Sequence, residues 1–178
     1  SRGLGDVYKR QILDNEANQL NGPLSFSASS GRLRDVQVVN TVATTVDAVN
    51  VSSNLTITSA GEIIQSGSFV VGNSTTLTAV NNADVNQDIS LGSFDNDLNN
   101  LSVAQGHDVT INNASNALTI SQLNATGRVD ITSGVLNVLN NLSGAGVTID
   151  AASGQANFAA DIDSTSDITI SANGIALN

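Results

Sequence analysis

The chain has 178 residues, 40% of them hydrophobic, yet only four Phe, one Tyr and no Trp, Met or Cys, so any core is aliphatic and disulfides and thiolate metal sites are excluded. Sixteen acidic residues against six basic ones give a net charge of −10, which argues against nucleic acid as a partner and against electrostatic attachment to anionic lipid. Charged residues make up only 12%, too few for a typical disordered tail, and no apolar run approaches a membrane span, so the chain reads as folded and not membrane-inserted.

The first eleven residues, SRGLGDVYKRQ, hold the only Lys (Lys9), the only Tyr (Tyr8) and three of the six bases. The string resembles the translation of a sequencing adapter, so 1–11 is set aside as a non-native or disordered segment. Residues 12–178 are then expected to be a fragment of a longer protein, of the kind assembled from metagenomic reads. No signal peptide opens the chain, and a targeting segment for a secreted protein would lie outside it. The lack of Cys is compatible with export.

From residue 12 onward the elements are short. ILDNEANQL (12–20) is the best helical candidate, but it is brief and Asn-rich. After it, apolar pairs at two-residue spacing recur along the chain: Leu24/Phe26, Val36/Val38, Leu55/Ile57, Ile89/Leu91, Leu101/Val103, Val109/Ile111 and Leu118/Ile120. They continue with Val129/Ile131, Leu136/Val138, Val147/Ile149, Ile168/Ile170 and Ile175/Leu177. Neighbours in a strand point to opposite faces, so each pair buries both members on one side while the intervening Thr, Ser, Asp or Asn meets water. Pro23 sits just before the Leu24 word, where a missing N–H costs least. Gly61, Gly67, Gly72, Gly127, Gly134 and Gly174 separate strand words as turn residues do. Asn pairs at 81–82, 99–100, 112–113 and 140–141 are read as turns, because Asn tolerates left-handed backbone and its amide can stack in ladders.

Words beginning at Val36, Leu55, Val109, Val129, Val147 and Ile168 often follow one another at about 18 to 21 residues. A longer period of about 73 to 78 residues aligns NVSSNLTITSAG (50–61) with NATGRVDITSG (124–134), DVQVVN (35–40) with DVTINN (108–113), and LNGPLSF (20–26) with LNNLSV (98–103). Short strands at such a step predict an all-β parallel solenoid with coils of about 20 residues, each strand paired with its counterpart in the next coil. Residues 12–178 would form roughly eight coils, a rod on the order of 40 Å long. The competing architecture, an antiparallel sandwich of immunoglobulin-like modules, usually shows a buried aromatic and more Pro and Lys/Arg.

NLTITSAGEIIQSGSFVVGNSTTLTA (54–79), followed by QDISL (87–91), resembles the repeats of large filamentous-haemagglutinin-like adhesins of Gram-negative bacteria. Gly61-Glu62-Ile63-Ile64-Gln65-Ser66-Gly67 and Thr75-Thr76-Leu77-Thr78-Ala79 carry the likeness, which extends loosely over 12–178. It implies a right-handed parallel β-helix, two-partner secretion through an outer-membrane transporter, and an extracellular or cell-surface shaft in cell adhesion. The implied partner is a receptor or glycan on a host or neighbouring cell. Its motifs specify a repeat style and no chemistry.

Candidate chemistry is sparse. His107, in QGHDVT, stands at a turn before a strand and is read as a solvent-exposed turn histidine rather than a base. No Gly-x-Ser-x-Gly elbow surrounds any Ser. Asp95 and Asp97 share a face if extended, with Asp84 and Asp88 near by; such carboxylates could ligate calcium or serve a glycosidase, but read first as a solvated loop. Arg32 and Arg34 flank Leu33 and could meet a glycan, though solubilising charge is the simpler role. No catalytic, cofactor-binding or metal-ligating residue is assigned, and no cofactor or enzyme activity is expected. The alternatives carried forward are a carbohydrate-active β-helix enzyme fragment and a calcium-dependent repeat adhesin; the latter lacks the GGxGxDxUx nonapeptide.

Overall fold

The computed structural model describes residues 10–28 and 31–177. They form an all-β parallel solenoid of about seven turns with coils near 20 residues, and no described residue is helical. No helix among them is long and apolar enough to cross a membrane. At about 4.8 Å per rung the stack is about 30–35 Å long, shorter than eight coils would give. The deficit lies at the start, where residues 12–34 contribute one strand and isolated bridges in place of a regular coil.

β1 (Arg10–Leu13) pairs in register with β2 (Asp35–Asn40). Arg10 and Gln11 are therefore ladder residues, while residues 1–9 of the segment set apart by sequence lie outside the described residues. The first full coil comprises β2, β3 (Thr44–Val46) and β4 (Val49–Val51), one strand on each of three faces. The next comprises β5 (Asn54–Ser59), β6 (Ile63–Gln65) and the start of β7 (Phe69–Ala79). β7 then turns onto the first face again, and β8 (Ile89–Leu91) and the start of β9 (Asp97–Gly106) complete that coil. β10 (Val109–Asn112), β11 (Ala117–Ala125), β12 (Arg128–Thr132), β13 (Val135–Val138) and β14 (Leu142–Gly144) carry the pattern on. β15 (Gly146–Phe158), β16 (Ile162–Ser164) and β17 (Ile168–Leu177) form the last rungs.

Parallel pairing in register places like residues above like. On the second face Thr44, Ile63, Ile89, Val109, Val129, Val147 and Ile168 form one column. On the first face Val38, Ile57, Leu77, Val103, Leu123, Leu142 and Ile162 form another. Each interior member of these columns buries an aliphatic side chain worth about 1.5–3 kcal/mol. No strand word is long enough for a sheet alone; its copies in the adjacent coils supply the sheet.

Column membership corrects two expectations. Val36 and Leu55 stack on the first face, whereas Val109, Val129, Val147 and Ile168 stack on the second, so the 20-residue words belong to two separate columns. The 73-residue similarity joins different faces: 35–40 lies on the first and 109–112 on the second. It records a strand-and-corner grammar common to the faces and is not a structural period. At the far rung Ile168, Ile175 and Leu177 are 46%, 54% and 79% exposed, because no described coil covers them.

The glycines serve a different need from the one sequence suggested. Positive φ occurs at Gly22 and Gly31, and otherwise at Asp84 and Ala114, with no Asn among the described residues in that region. Gly61 and Gly67 instead sit where the preceding coil passes close: a Cβ would lie 2.7 Å from the Ala43 nitrogen and 2.5 Å from the Ala48 nitrogen. Gly72 likewise meets the Ser52 carbonyl. All three corners of this coil thus require the missing side chain. Asn99-Asn100 lies within β9 where the strand bends from the third face to the first, and Asn99 Nδ2 donates to the Gly72 carbonyl of the corner below at 2.8 Å. The expected amide ladders do form: Asn73 Nδ2 donates to Asn54 Oδ1 at 2.9 Å, Asn141 to Asn124 at 3.0 Å and Asn157 to Asn137 at 2.9 Å.

Candidate functional site

The column just before each second-face strand gathers most of the chemistry. Because Ile63, Ile89, Val109, Val129, Val147 and Ile168 are stacked, their predecessors stack at one corner as Glu62, Asp88, Asp108, Arg128, Gly146 and Asp167. Residues 80–88 lengthen the coil that leads to Asp88. Ile89 follows Ile63 by 26 residues, against 18 to 21 for the other full rungs of the column. The extra residues close on themselves. Val80 and Asn86 form an antiparallel bridge, and Asn81 Oδ1 accepts the N–H groups of Ala83 and Val85 at 2.9 and 3.0 Å. Asp84 at φ 58° makes the bend.

Asp88 and Asp108 each have a structural duty. Asp88 Oδ1 accepts the Asp108 backbone N–H at 3.0 Å, and Asp108 Oδ1 accepts that of Arg128 at 2.7 Å, so each carboxylate caps the coil above. His107 sits at the turn, half exposed, as expected from sequence. It is not free, however. Its Nδ1 lies 2.8 Å from Asp88 Oδ1 and 3.7 Å from Asp108 Oδ1. The hydrogen bond to Asp88, with the Asp108 charge beside it, raises the His107 pKa above its ordinary value. The Asp108 N–H, and then His107, hold Asp88 below the usual carboxylate range. Nδ1 and one oxygen from each aspartate all lie within 4.8 Å of one another, the arrangement among the described residues that could hold a metal ion.

The other sequence candidates do not join this group. Asp95 and Asp97 do point outward together, but between them Asn96 is buried, and Asp95 is engaged by Asn112 Nδ2 at 3.0 Å. Asp84 lies in the folded-back insertion and is not a member of the three-residue group. Arg32 donates to the Val51 carbonyl at 3.1 Å, and Arg34 to Asp35 at 2.7 Å. Asp35 also receives Arg10 and both the backbone and side-chain amides of Asn54. Partial burial opposes its ionisation, yet Arg34, Arg10 and Asn54 outweigh that and lower its pKa to about 2.

The polar residues that sequence reasoning missed are inside. Asn96 Oδ1 accepts Gln65 Nε2 at 3.0 Å and the Phe69 N–H at 2.8 Å, while its Nδ2 donates to the Leu91, Phe94 and Asn112 carbonyls. Asn113 pairs with both backbone groups of Leu98, and Asn40 bridges Leu20, Ala43 and Thr44. The available signal was parity: Val36, Val38, Asn40 and Val109, Ile111, Asn113 continue one two-residue alternation inward. Each of the three Asn joins neighbouring coils, through Gln65, Phe69 and Asn112 for Asn96, Leu98 for Asn113 and Leu20 for Asn40, and also ties down its own corner.

Residues 33–105 match a family described as Repeats of unknown function (DUF5649). The match runs from the Leu33 bridge into β9 and so covers the coils whose corners carry Gly61, Gly67 and Gly72, together with the 80–88 insertion. No curated protein and no solved structure matches the chain.

Proposed function

We propose that the chain is a length of the stiff shaft of a secreted or surface-displayed bacterial adhesin. The observation that carries this reading is the uninterrupted second-face column from Thr44 to Ile168, paired rung by rung. Interior strands held on both sides resist bending and extension, so such a rod can hold a distal tip away from a surface. The local match to a repeat family and the resemblance of 54–79 to filamentous-haemagglutinin-like repeats support the same role. Export through an outer-membrane transporter and contact with a cell-surface receptor or glycan belong to this proposal. The acidic surface keeps rods apart and soluble.

The test is to place an epitope in the 80–88 insertion of the protein in its own bacterium and label intact cells with gold-tagged antibody. Label on projections beyond the outer membrane is expected; label only after lysis sinks the shaft reading. The carbohydrate-active alternative draws on the insertion beside His107 and its two aspartates. It requires polysaccharide turnover that His107→Ala abolishes, whereas the shaft reading expects no turnover from either protein.

A further inference from the structure

We propose that Asp88, His107 and Asp108 form a binding site for a divalent transition-metal ion of the zinc type, one per chain, at the corner between the first and second faces. Donor geometry is the first ground. Two ligand atoms on a tetrahedral zinc ion stand about 3.3 Å apart. His107 Nδ1 lies 2.8 Å from one carboxylate oxygen and 3.7 Å from the other, so the present spacings bracket that value. His107, Asp88 and Asp108 side chains are 51%, 39% and 51% exposed, which leaves them room to open by a few tenths of an ångström around an ion.

Preorganisation is the second ground. The backbone N–H groups of Asp108 and Arg128 hold the two carboxylates from the coil above, so little ordering remains to be done on binding. Charge is the third. Parallel stacking sets Glu62, Asp88 and Asp108 in register on successive rungs, with like charges recurring at about 4.8 Å. Arg128, the next residue of the column, acts on Asp108 through its charge, but its hydrogen bonds are committed elsewhere: its Nε donates to Asp130 at 2.9 Å and its Nη2 to Thr148 at 3.0 Å. Among the described residues the imidazole is the basic group within 4 Å of both acids, and a divalent ion would neutralise what the coil geometry forces together.

Ligand type selects the ion. An imidazole nitrogen with carboxylate oxygens suits zinc, whereas calcium takes six to eight oxygens and gains nothing from the ring. The site therefore differs in chemistry from that of a calcium-dependent repeat adhesin, and it does not depend on the shaft reading.

The experiment is calorimetric titration of the whole chain, purified without a histidine tag and freed of metal by chelator, with zinc chloride and separately with calcium chloride. Expected is saturable binding of one zinc ion per chain, with His107 ring signals shifting in the nuclear magnetic resonance spectrum. His107→Ala and Asp88→Asn should each weaken binding by about ten-fold or more. The amide oxygen in Asp88→Asn still receives the Asp108 N–H, and unchanged circular dichroism checks that the coil is kept. Asp95→Asn serves as a control and should bind as the parent does. Absence of saturable zinc binding, zinc affinity unmoved by both site variants, or tighter binding of calcium than of zinc would each overturn the proposal and leave the corner an ion pair.

Discussion

Thr75 shows what a single misplaced polar atom does in this interior. It occupies a column position between Leu55 and Leu101, fully buried, and its Oγ1 has no hydrogen-bond partner. Removing a buried hydroxyl that makes no bond relieves its desolvation, so Thr75→Val should raise stability by about 1 kcal/mol, read from the urea midpoint. Asn96 is the opposite case, because every one of its polar atoms is used. Asn96→Ala strands the Phe69 N–H, Gln65 and several carbonyls at once and should cost about 2–4 kcal/mol in the same assay. Ionisable residues set the pH response. The Asp35 pKa is lowered to about 2 from 3.8, so its stabilisation is complete above the unfolded value and is lost as pH falls through about 2. With both arginine partners exposed, about 1 kcal/mol is expected, and Asp35→Asn should flatten that part of an acid-unfolding curve. His107, raised by Asp88, works the other way: its contribution is whole below the ordinary histidine value and fades as pH rises past the folded one.

At the scale of the element, corners and not strands discriminate between sequences. A strand word needs only two apolar residues with a polar one between, and Val, Ile or Leu serve at the same column position on different rungs, as Val109 over Ile89 and Ile111 over Leu91. A corner needs a specific solution. Gly67 meets Ala48 backbone and side-chain atoms within a distance no Cβ tolerates, so Gly67→Ala should destabilise by about 1–3 kcal/mol in thermal or urea melts although the site is on the periphery. Gly22, with nothing near a built Cβ, would clash with no neighbour, and its positive φ is the sole cost. The 80–88 insertion lengthens its coil beyond the other full rungs of the second-face column, and it delivers Asp88 beneath His107.

For the whole molecule, stability is a sum over rungs and their neighbours, so the two ends are weaker than the middle. β17 pairs with β15 on one side only, and its inward residues are partly exposed. Amide exchange should be slowest in the central rungs β10 and β12 and quicken toward β17; uniform protection along the rod would contradict the additive picture. An uncovered parallel rung is also a template for another chain. Light scattering should show concentration-dependent association of the isolated chain, reduced by Leu177→Lys and Ile175→Lys, which place charge on the open rung.

The sequence by itself determined the repeating word, the coil length near 20 residues, the parallel solenoid and the exposed turn position of His107. Period-two alternation and repeat spacing are local and cumulative, and each survives degeneracy in any one copy. Only the tertiary structure decided which words share a column, since words on all three faces obey the same alternation and nothing within a word names its face. It also decided that Asn40, Asn96 and Asn113 turn inward, because a polar residue at inward parity reads as a turn until carbonyls of neighbouring coils are there to meet it. The pairing of Asp88 with His107 is of the same kind: nineteen residues separate them in the chain, and only the step of one coil brings them within hydrogen-bond reach.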